Sequence, residues 1–354
     1  MIPAIQSSEL ESFSSGCREV AKELVKLSDQ GYDCLLIPCR GAFPVLIGAI
    51  EALKLVDGGR NLLRRLFAPY PHPILREFHR GSGDFKLLVL PFTAHVKIPN
   101  DYRKEYDFKA SIDSVEADIR LWATKLALSF LKEPSERSED DHFNFYMELL
   151  NLTGQREFEE VYRNFPKCGK LVYLDTVISG LASHTILKGF KDGGYNPYAI
   201  LVVDDYGAKL NPEYTWIFRN LEANGLARKI FVSKIISEDT NSALLGVSAT
   251  VYPTIIMACW KKIRPCGAVE WHPAIGKHLE VFTRFQACLR KSLEGRDFMS
   301  EIKKLNELLS LMKGEGEKIP KLSLRIEKVE ETRAGAVNIY LTLKDSKNFA
   351  QNFD

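Results

Sequence analysis

The chain has 354 residues, of which 45% are hydrophobic and 27% are charged, and its formal net charge is +2. These values are typical of a soluble globular protein that is long enough to bury a large core. So small a net charge excludes a general electrostatic attraction to nucleic acid or acidic membranes. A nucleic-acid partner would therefore need a local basic patch, for which residues 60–65 are the best candidate, unless they form an ordinary solvated helix end.

Several classes of protein are excluded by what the sequence lacks. No apolar run approaches the ~20 residues that a membrane-spanning helix needs. Residues 1–9 contain neither the basic nor the apolar region of a signal peptide. The seven cysteines are scattered and form no C-x-x-C pair or zinc-ligand spacing. We therefore expect a cytoplasmic protein with reduced thiols, no membrane partner and no metal site made by protein ligands alone.

The first predicted elements are a helix, a strand and a second helix. Apolar residues at i, i+3 and i+4 spacing predict a helix over residues 10–27. Residues 33–39 are almost entirely apolar, which predicts a short strand buried in a parallel sheet. Arg40 and Gly41 lie in the turn that follows, before a helix predicted over residues 45–55.

The middle of the chain is mainly helical. A second strand is predicted over residues 85–91, and helical spacing continues over residues 111–130. Residues 132–141 form a charged, proline-containing break, and residues 143–165 return to helical spacing. We therefore predict a helical insertion at about residues 105–166 rather than further strands of a sheet.

Four more strands are predicted after this insertion. Their residues are 171–174, 199–205, 229–236 and 254–259, and the first is followed by a helix that extends to Lys191. Alternating strands and helices predict an α/β fold, with a mostly parallel sheet flanked by helices and ligands bound at the carboxyl ends of the strands.

The sequence changes character after residue 276. Two helices and a β-hairpin are predicted over residues 279–293, 298–312 and 322–343. The predicted organisation is therefore a core of residues 1–275 followed by a small C-terminal α+β appendage of residues 276–354.

The most informative motif begins with the strand over residues 171–174. This strand leads into a single acid, Asp175, then into a turn of small and hydroxyl residues that ends at Ser183, and then into a helical sequence. In an α/β fold this order builds a phosphate site, because loop N–H groups and the positive end of the helix dipole both face the anion. The alternative is a buried strand followed by an ordinary Ser/Gly turn.

The motif resembles the phosphoribosyl-pyrophosphate (PRPP) loop of type I phosphoribosyltransferases. That loop has four hydrophobic residues, two acids, two hydrophobic residues, two Thr or Ser, Gly, a small residue and Thr or Ser. Here Asp175 occupies the first acidic position, Thr176 replaces the second acid, and Leu181 stands where the family has glycine. The resemblance implies that Asp175 is the catalytic acid, accepting hydrogen bonds from the ribose and stabilising positive charge at the anomeric carbon. It also implies that the phosphate is bound by Thr176, Val177, Ile178, Ser179, Gly180, Leu181, Ala182 and Ser183.

The turn after the first strand extends the resemblance. Arg40 and Gly41 lie upstream of the Asp175 loop, in the order that the family uses for its pyrophosphate loop. The resemblance implies that Arg40 supplies a cation and Gly41 a backbone donor to the pyrophosphate. It also implies bound Mg²⁺, held chiefly by oxygens of the substrate and by water. The alternative is an ordinary turn between a strand and a helix.

Two further groups of residues are candidates for the ligand side of the sheet. Trp271 could stack on a base, and Glu270 and His272 could read the base edge, although a packed Trp beside a capped turn is the alternative. Asp204 and Asp205 end another predicted strand, where they either replace the missing acid or cap the next turn.

Two classes of function follow from these residues. The first is a glycosyltransferase of the pentosyltransferase class that binds PRPP or a related ribonucleotide. The second is a catalytically inactive nucleotide-sensing or partner-binding module of the same fold, which the departures at Thr176 and Leu181 favour. The insertion and the appendage suggest surfaces for a protein partner or a second copy of the chain.

The loop sequence Asp-Thr-Val-Ile-Ser-Gly, which begins at Asp175, carries a second resemblance. It is similar to divergent phosphoribosyltransferase-like proteins of bacterial conflict and antiphage systems, including retron-associated effectors. This resemblance implies a nucleotide-processing effector in bacterial defence. An unrelated Rossmann-type nucleotide binder is disfavoured, because no G-x-G-x-x-G follows the first strand.

Overall fold

In the computed structural model, six parallel strands form one sheet. The structure describes residues 4–70, 75–78, 83–90, 108–152, 155–236, 254–258, 266–270, 277–311, 323–331 and 337–344. The strands are β1 (Cys34–Ile37), β2 (Leu66–Phe67), β3 (Phe85–Val89), β4 (Leu171–Val177), β5 (Tyr198–Val203) and β6 (Ala227–Phe231). Their order across the sheet is β2-β3-β1-β4-β5-β6, and every neighbouring pair is parallel. The predicted α/β fold with a mostly parallel sheet is confirmed.

Helices flank this sheet. They are α1 (Ser7–Asp29), α2 (Phe43–Leu53), α3 (Gly59–Arg65), α4 (Phe108–Ser129), α5 (Asp141–Leu152), α6 (Arg156–Arg163), α7 (Leu181–Asp192), α8 (Pro212–Ala223), α9 (Lys277–Leu293) and α10 (Met299–Leu311). Helices α4, α5 and α6 lie between β3 and β4, where the sequence predicts a helical insertion. Among the helices that the structure describes, none combines the length and the apolar character that crossing a membrane requires.

The connections that leave the neighbouring strands β1 and β4 run towards opposite edges of the sheet. Strands β2 and β3 lie on one side of β1, whereas β4, β5 and β6 follow on the other side. At such a switch point the loops leaving the two neighbouring strands turn away from each other and open a crevice at the carboxyl ends. Because crossover connections are right-handed, α2 and α7 lie on opposite faces of the sheet. The two loops that the sequence singled out therefore both leave the sheet at this switch point.

Two antiparallel pairs of strands lie outside the main sheet. Strand β7 (Thr254–Ala258) pairs with β8 (Cys266–Glu270), although the sequence predicts residues 254–259 as a further strand of the parallel sheet. Residues 259–265, which connect the two strands, are too few for the crossover that parallel pairing needs. Strand β9 (Ser323–Glu331) pairs with β10 (Val337–Lys344), which confirms the predicted C-terminal hairpin.

A buried carboxylate attaches the C-terminal helices to the core. Glu51 of α2 is 2% exposed and accepts hydrogen bonds from Arg290 at 3.0 and 3.1 Å, from Gln286 at 2.8 Å and from Lys54 at 3.1 Å. Burial by itself would raise the pKa of Glu51, but the hydrogen bond of Arg290, the charge of Lys54 and the hydrogen bond of Gln286 outweigh it and lower the pKa. Helix α9 is thereby held against α2 by charge as well as by apolar packing.

We expect Glu51→Gln to lower the free energy of unfolding by about 1–2 kcal/mol, because the substitution keeps the shape but removes the charge that Arg290 and Lys54 contact. Since the folded-state pKa is depressed, this contribution is present above the ordinary value of 4.5 and is lost as the pH falls through the folded-state pKa. Urea denaturation at several pH values measures both effects. The control is Glu280→Gln, which removes an exposed i,i+4 partner of Arg284 and one first-turn charge of α9 and should change stability by less than about 1 kcal/mol. Equal losses in the two variants would contradict this role of Glu51.

Candidate functional site

The loop that leaves β1 lies against the end of β4 at the switch point. A Cβ atom added at Gly41 would lie 3.2 Å from Oγ1 of Thr176 and 3.7 Å from Sγ of Cys39. Any side chain at position 41 would therefore enter the space between this loop and the end of β4. Glycine lets the backbone that follows β1 lie directly beside the side chain of Thr176.

Each of these loops leads into the N-terminus of a helix. In the described part of the chain, neither α2 nor α7 has an acidic residue in its first turn or a side-chain hydrogen bond at its N-cap. Helix α8 differs, because Asn211 accepts from the N–H of Glu213 at 2.9 Å and Glu213 adds a carboxylate to the first turn. First-turn N–H groups lack intrahelical acceptors and form the positive end of the helix dipole. Pro44 removes one such donor from α2, so α7 is the better equipped of the two for binding an anion.

Gly180 is required by the turn from β4 into α7. It is the N-cap of α7, with φ = 93°, in the left-handed region that favours glycine. A Cβ atom there would lie 3.1 Å from Cε2 of Phe218. The side chain of the preceding Ser179 is exposed, and its carbonyl accepts from the N–H of Asn211 at 3.0 Å. The turn is therefore fixed in position, and the exposed hydroxyl of Ser179 accepts from the N–H of Leu181 at 3.5 Å.

Asp175 lies inside its strand rather than at the strand's end. Strand β4 extends to Val177, beyond the predicted end at Leu174, and Asp175 pairs with Leu201 of β5. Side chains alternate along a strand, so Asp175 shares a face with Tyr173. Its residue is 2% exposed. The extension of the strand is thus the reason why the acid is turned into the protein.

Four uncharged donors occupy both oxygens of the Asp175 carboxylate. Oδ2 accepts from the hydroxyl of Tyr173 at 2.5 Å and from that of Ser183 at 2.7 Å. Oδ1 accepts from the N–H of Thr176 at 2.8 Å and from the thiol of Cys39 at 3.3 Å. Burial raises the pKa of Asp175 above its ordinary value of 3.8, and these four hydrogen bonds act in the opposite direction.

These contacts bear on the roles that the resemblance implies for the loop residues. The resemblance assigns the ribose hydroxyls to Asp175, but its carboxylate is bound within the protein and has almost no surface to offer a ligand. Ser183 is 1% exposed and gives its hydroxyl to Asp175, and the side chain of Val177 is buried in the core, so neither side chain faces a phosphate. The loop positions with side chains that are exposed or half-buried are Thr176, Ile178, Ser179, Leu181 and Ala182.

The first acid of the turn after β5, Asp204, is hydrogen-bonded to groups of the protein itself. Asp204 is buried, and its carboxylate accepts from the N–H of Ile235 at 2.6 Å and from Nζ of Lys209 at 2.7 Å. This carboxylate joins the end of β5 to the chain that follows β6. Asp204 therefore stabilises the fold at this edge rather than replacing the missing acid of the loop.

The next two residues of that turn have an unusual backbone. Asp205 and Tyr206 have φ values of 48° and 49°, in the left-handed region that non-glycine residues rarely adopt. The N–H of Tyr206 donates to the carbonyl of Val232 at 3.0 Å, which helps to hold this conformation. Tyr206 is 65% exposed, so a strained turn presents an aromatic ring at the carboxyl edge of the sheet.

The remaining predicted site residues are only partly described. The backbone of Arg40 begins the short 3₁₀ turn that follows β1, and its side chain lies outside the described residues. Glu270 is the last residue of β8; its side chain, together with Trp271 and His272, also lies outside them. Within the described ranges, no group of three or more His, Cys, Asp or Glu could hold a metal ion.

Sequence reasoning missed two of the groups that surround Asp175. Tyr173 could have been found, because it stands two residues before the acid and alternation places both on one face of a strand. Cys39 could not have been found, because its contact with Asp175 depends on β1 and β4 being neighbours in the sheet.

Comparisons with known proteins identify no relative of this chain. No protein-family model, no curated protein and no solved structure matches it. Membership of the phosphoribosyltransferase family therefore stays a prediction, which depends on the motif of residues 171–183 and on the geometry of the switch point.

Proposed function

We propose that this protein binds PRPP or a related ribonucleotide at the carboxyl edge of the sheet, between the loops that follow β1 and β4. The observation that carries the proposal is that the chain leaving each of the neighbouring strands β1 and β4 leads into a helix whose first turn has no acidic residue. In this proposal the 5-phosphate binds the first turn of α7, with hydroxyl groups from Thr176 and Ser179. Arg40 and Gly41 hold the pyrophosphate, and the base is recognised by residues 270–272.

Mg²⁺ belongs to this proposal as part of the ligand. The described residues provide no group of three ligating side chains, so pyrophosphate oxygens and water would complete most of the coordination shell. When bound, the ion would neutralise charge on the pyrophosphate. The protein's own contribution would be to orient the diphosphate through Gly41 and Arg40.

The proposal has an enzymatic version. A pentosyltransferase would bring a nitrogen nucleophile to the anomeric carbon of PRPP, form the new glycosidic bond and release pyrophosphate. Donors that hold the leaving pyrophosphate favour this step, because negative charge accumulates on it in the transition state. The loops after β1 and β4 would act by holding the two ends of the ligand in line.

The binding-module version has a specific observation in its favour. Asp175 is the only acid of the motif, and its carboxylate is buried among four donors. Residues 176–183 contain no other carboxylate that could stabilise positive charge at the anomeric carbon. This arrangement supports a protein that senses its ligand without turning it over.

One pair of measurements separates the two versions. Calorimetry with PRPP and Mg²⁺ tests binding, and a pyrophosphate-release assay over a panel of bases and nucleotides tests turnover. Binding with release supports the transferase, and binding without release supports the module. If neither PRPP nor any nucleotide of the panel binds, the proposed function is wrong.

Defence against phage, which the resemblance implies, is part of the same proposal. It requires that infection changes the level of the ligand or that the protein depletes it. A plaque assay in a bacterial host that expresses the chain tests this role, with Ser179→Asp as the binding-deficient comparison. Equal plaque numbers with and without the protein would contradict the role in defence and leave ligand binding as the proposed function.

Gly180→Ala is expected to weaken PRPP binding at least tenfold. The left-handed backbone disfavours alanine, and the new Cβ would lie 3.1 Å from Phe218, so we expect the turn into α7 to be displaced. Gly194→Ala is the matched control, because Gly194 also has a positive φ of 76° but nothing within 4 Å of its Cβ position. Each variant should lose about 1–2 kcal/mol of stability. Calorimetry that finds equal affinities in the two variants would place the ligand elsewhere.

A further inference from the structure

We infer that Tyr173, Asp175, Ser183 and Cys39 form a buried latch that fixes the loops after β1 and β4 relative to each other. In this view Asp175 is a positioning residue that acts on the ligand through the loops and does not touch it. The part of the inference that concerns ligand affinity rests on the proposed function, whereas the part that concerns loop position does not.

The latch joins three parts of the fold through one carboxylate. Cys39 belongs to the loop after β1, Tyr173 belongs to β4, and Ser183 belongs to the first turn of α7. Their donors reach the two oxygens of Asp175 at 3.3, 2.5 and 2.7 Å. A movement of this carboxylate would therefore disturb both loops at once.

Each attachment lies next to a group that the proposed ligand would use. Cys39 directly precedes Arg40 and Gly41 in the chain. Ser183 is in the helical turn whose N–H groups form the anion site, so its bond to Asp175 holds that turn against β4. The latch thus sets the distance between the pyrophosphate side and the 5-phosphate side of the site.

The chemistry of the latch favours a positional role over a stabilising one. Burying a carboxylate among uncharged donors is costly, and apolar side chains of similar volume usually pack at least as well. A carboxylate, however, accepts several hydrogen bonds in fixed directions, which apolar packing cannot do. All four donors to Asp175 are neutral groups, so the geometry of the hydrogen bonds, rather than attraction to a cation, holds it in place.

The first test uses two tyrosines that donate to buried carboxylates. Tyr173→Phe removes one donor of the latch, and Tyr198→Phe removes the 2.7 Å bond to Glu23 at the amino end of β5. The ring of Tyr173 is fully buried, so it reaches a ligand only through the latch. We expect Tyr173→Phe to weaken PRPP binding in the presence of Mg²⁺ about tenfold, and Tyr198→Phe to change it by less than twofold.

The second test needs no ligand. Ser183→Ala releases α7 from Asp175, whereas Ser14→Ala removes an equally buried helical hydroxyl that bonds only to the carbonyl of Leu10. We expect amide hydrogen exchange at residues 184–187 to accelerate at least tenfold in Ser183→Ala and to stay as in wild type in Ser14→Ala. Thiol labelling, mapped to Cys39 by mass spectrometry, should also become several times faster in Ser183→Ala.

The outcomes separate the latch from the proposed function. If wild type binds no PRPP or nucleotide but exchange and labelling change as expected, the proposed function fails and the latch stands. If Tyr173→Phe binds PRPP as Tyr198→Phe does, Asp175 does not act on the ligand through the latch. If exchange at residues 184–187 and labelling of Cys39 are the same in both serine variants, the latch is overturned whatever binds.

Discussion

Ser179→Asp should abolish the binding of PRPP and nucleotides and leave the melting temperature within about 2 °C of wild type. The side chain of Ser179 is exposed, and surface substitutions of this kind change stability by less than about 0.5 kcal/mol. A carboxylate just before the N-cap of α7 would interact favourably with the helix dipole, so the fold would tolerate it. The same carboxylate would occupy the anion position and repel a phosphate. Calorimetry and a thermal melt on the same sample measure both quantities.

The matched control for this prediction adds the same charge elsewhere. Ser300 is exposed in the first turn of α10, so Ser300→Asp should leave both affinity and melting temperature unchanged. Wild-type affinity in Ser179→Asp would rule out the phosphate site at α7. A loss of affinity in both variants would mean that net charge, and not this site, controls binding.

Asp175→Ala should lower the free energy of unfolding by about 3–5 kcal/mol, the largest stability effect that we expect from a single substitution at the site. Alanine leaves the hydroxyls of Tyr173 and Ser183 and the N–H of Thr176 buried without their acceptor, and each such group costs about 1–3 kcal/mol. Urea denaturation of wild type and variant measures the difference. A loss below about 1 kcal/mol would show that these donors find other partners.

Asp175→Asn should lower the free energy of unfolding by about 1–3 kcal/mol, less than Asp175→Ala does, because its side chain keeps one acceptor and fills the same volume. The amide oxygen can replace Oδ1 and accept from the N–H of Thr176, while the amide NH₂ takes the place of Oδ2. The hydroxyls of Tyr173 and Ser183 can rotate and accept from that NH₂ group, because hydroxyls both donate and accept. The latch therefore predicts that Asp175→Asn keeps ligand affinity within about threefold. If Asp175 were catalytic, Asp175→Asn would instead lower turnover by a factor on the order of 100, because the removed charge would stabilise the transition state.

The pH dependence of the same pair of proteins gives an independent test. Burial raises the folded-state pKa of Asp175, so the folded protein holds this proton more tightly than the unfolded chain does. Its contribution to stability is then fully present below the ordinary pKa of 3.8 and is lost as the pH rises through the folded-state value. Relative to Asp175→Asn, wild type should become less stable as the pH rises from the ordinary pKa of 3.8 towards the folded-state pKa. A difference that does not change with pH would contradict the raised pKa.

Local sequence predicted much of the fold because the physical signals are local. Apolar spacing at i, i+3 and i+4 predicted α1, and short apolar runs predicted the buried strands β1, β4 and β5. The helix predicted over residues 143–165 is divided into α5 and α6, and the strand predicted over residues 254–259 lies outside the main sheet. Both differences concern where an element ends or which element it contacts, and apolar periodicity does not contain that information.

The candidate site was located by sequence but its geometry was not. The order of strand, acid, turn and helix correctly placed a loop between β4 and α7, and Gly180 occupies the position where the turn needs a left-handed residue. The direction of the Asp175 side chain, however, depends on how far β4 extends, and that extent is set by pairing with β5 through Val177. Hydrogen bonding between neighbouring strands, rather than the residues of the loop, turned the acid into the protein.

The sequence by itself determined the elements, their order and the chemical character of both loops, since these follow from periodicity and residue type along the chain. Tertiary structure decided that β1 and β4 are neighbours, that Gly41 lies beside Thr176, and that Cys39 reaches the carboxylate of Asp175. These contacts join parts of the chain separated by more than a hundred residues, so only the packing of the whole sheet brings them together.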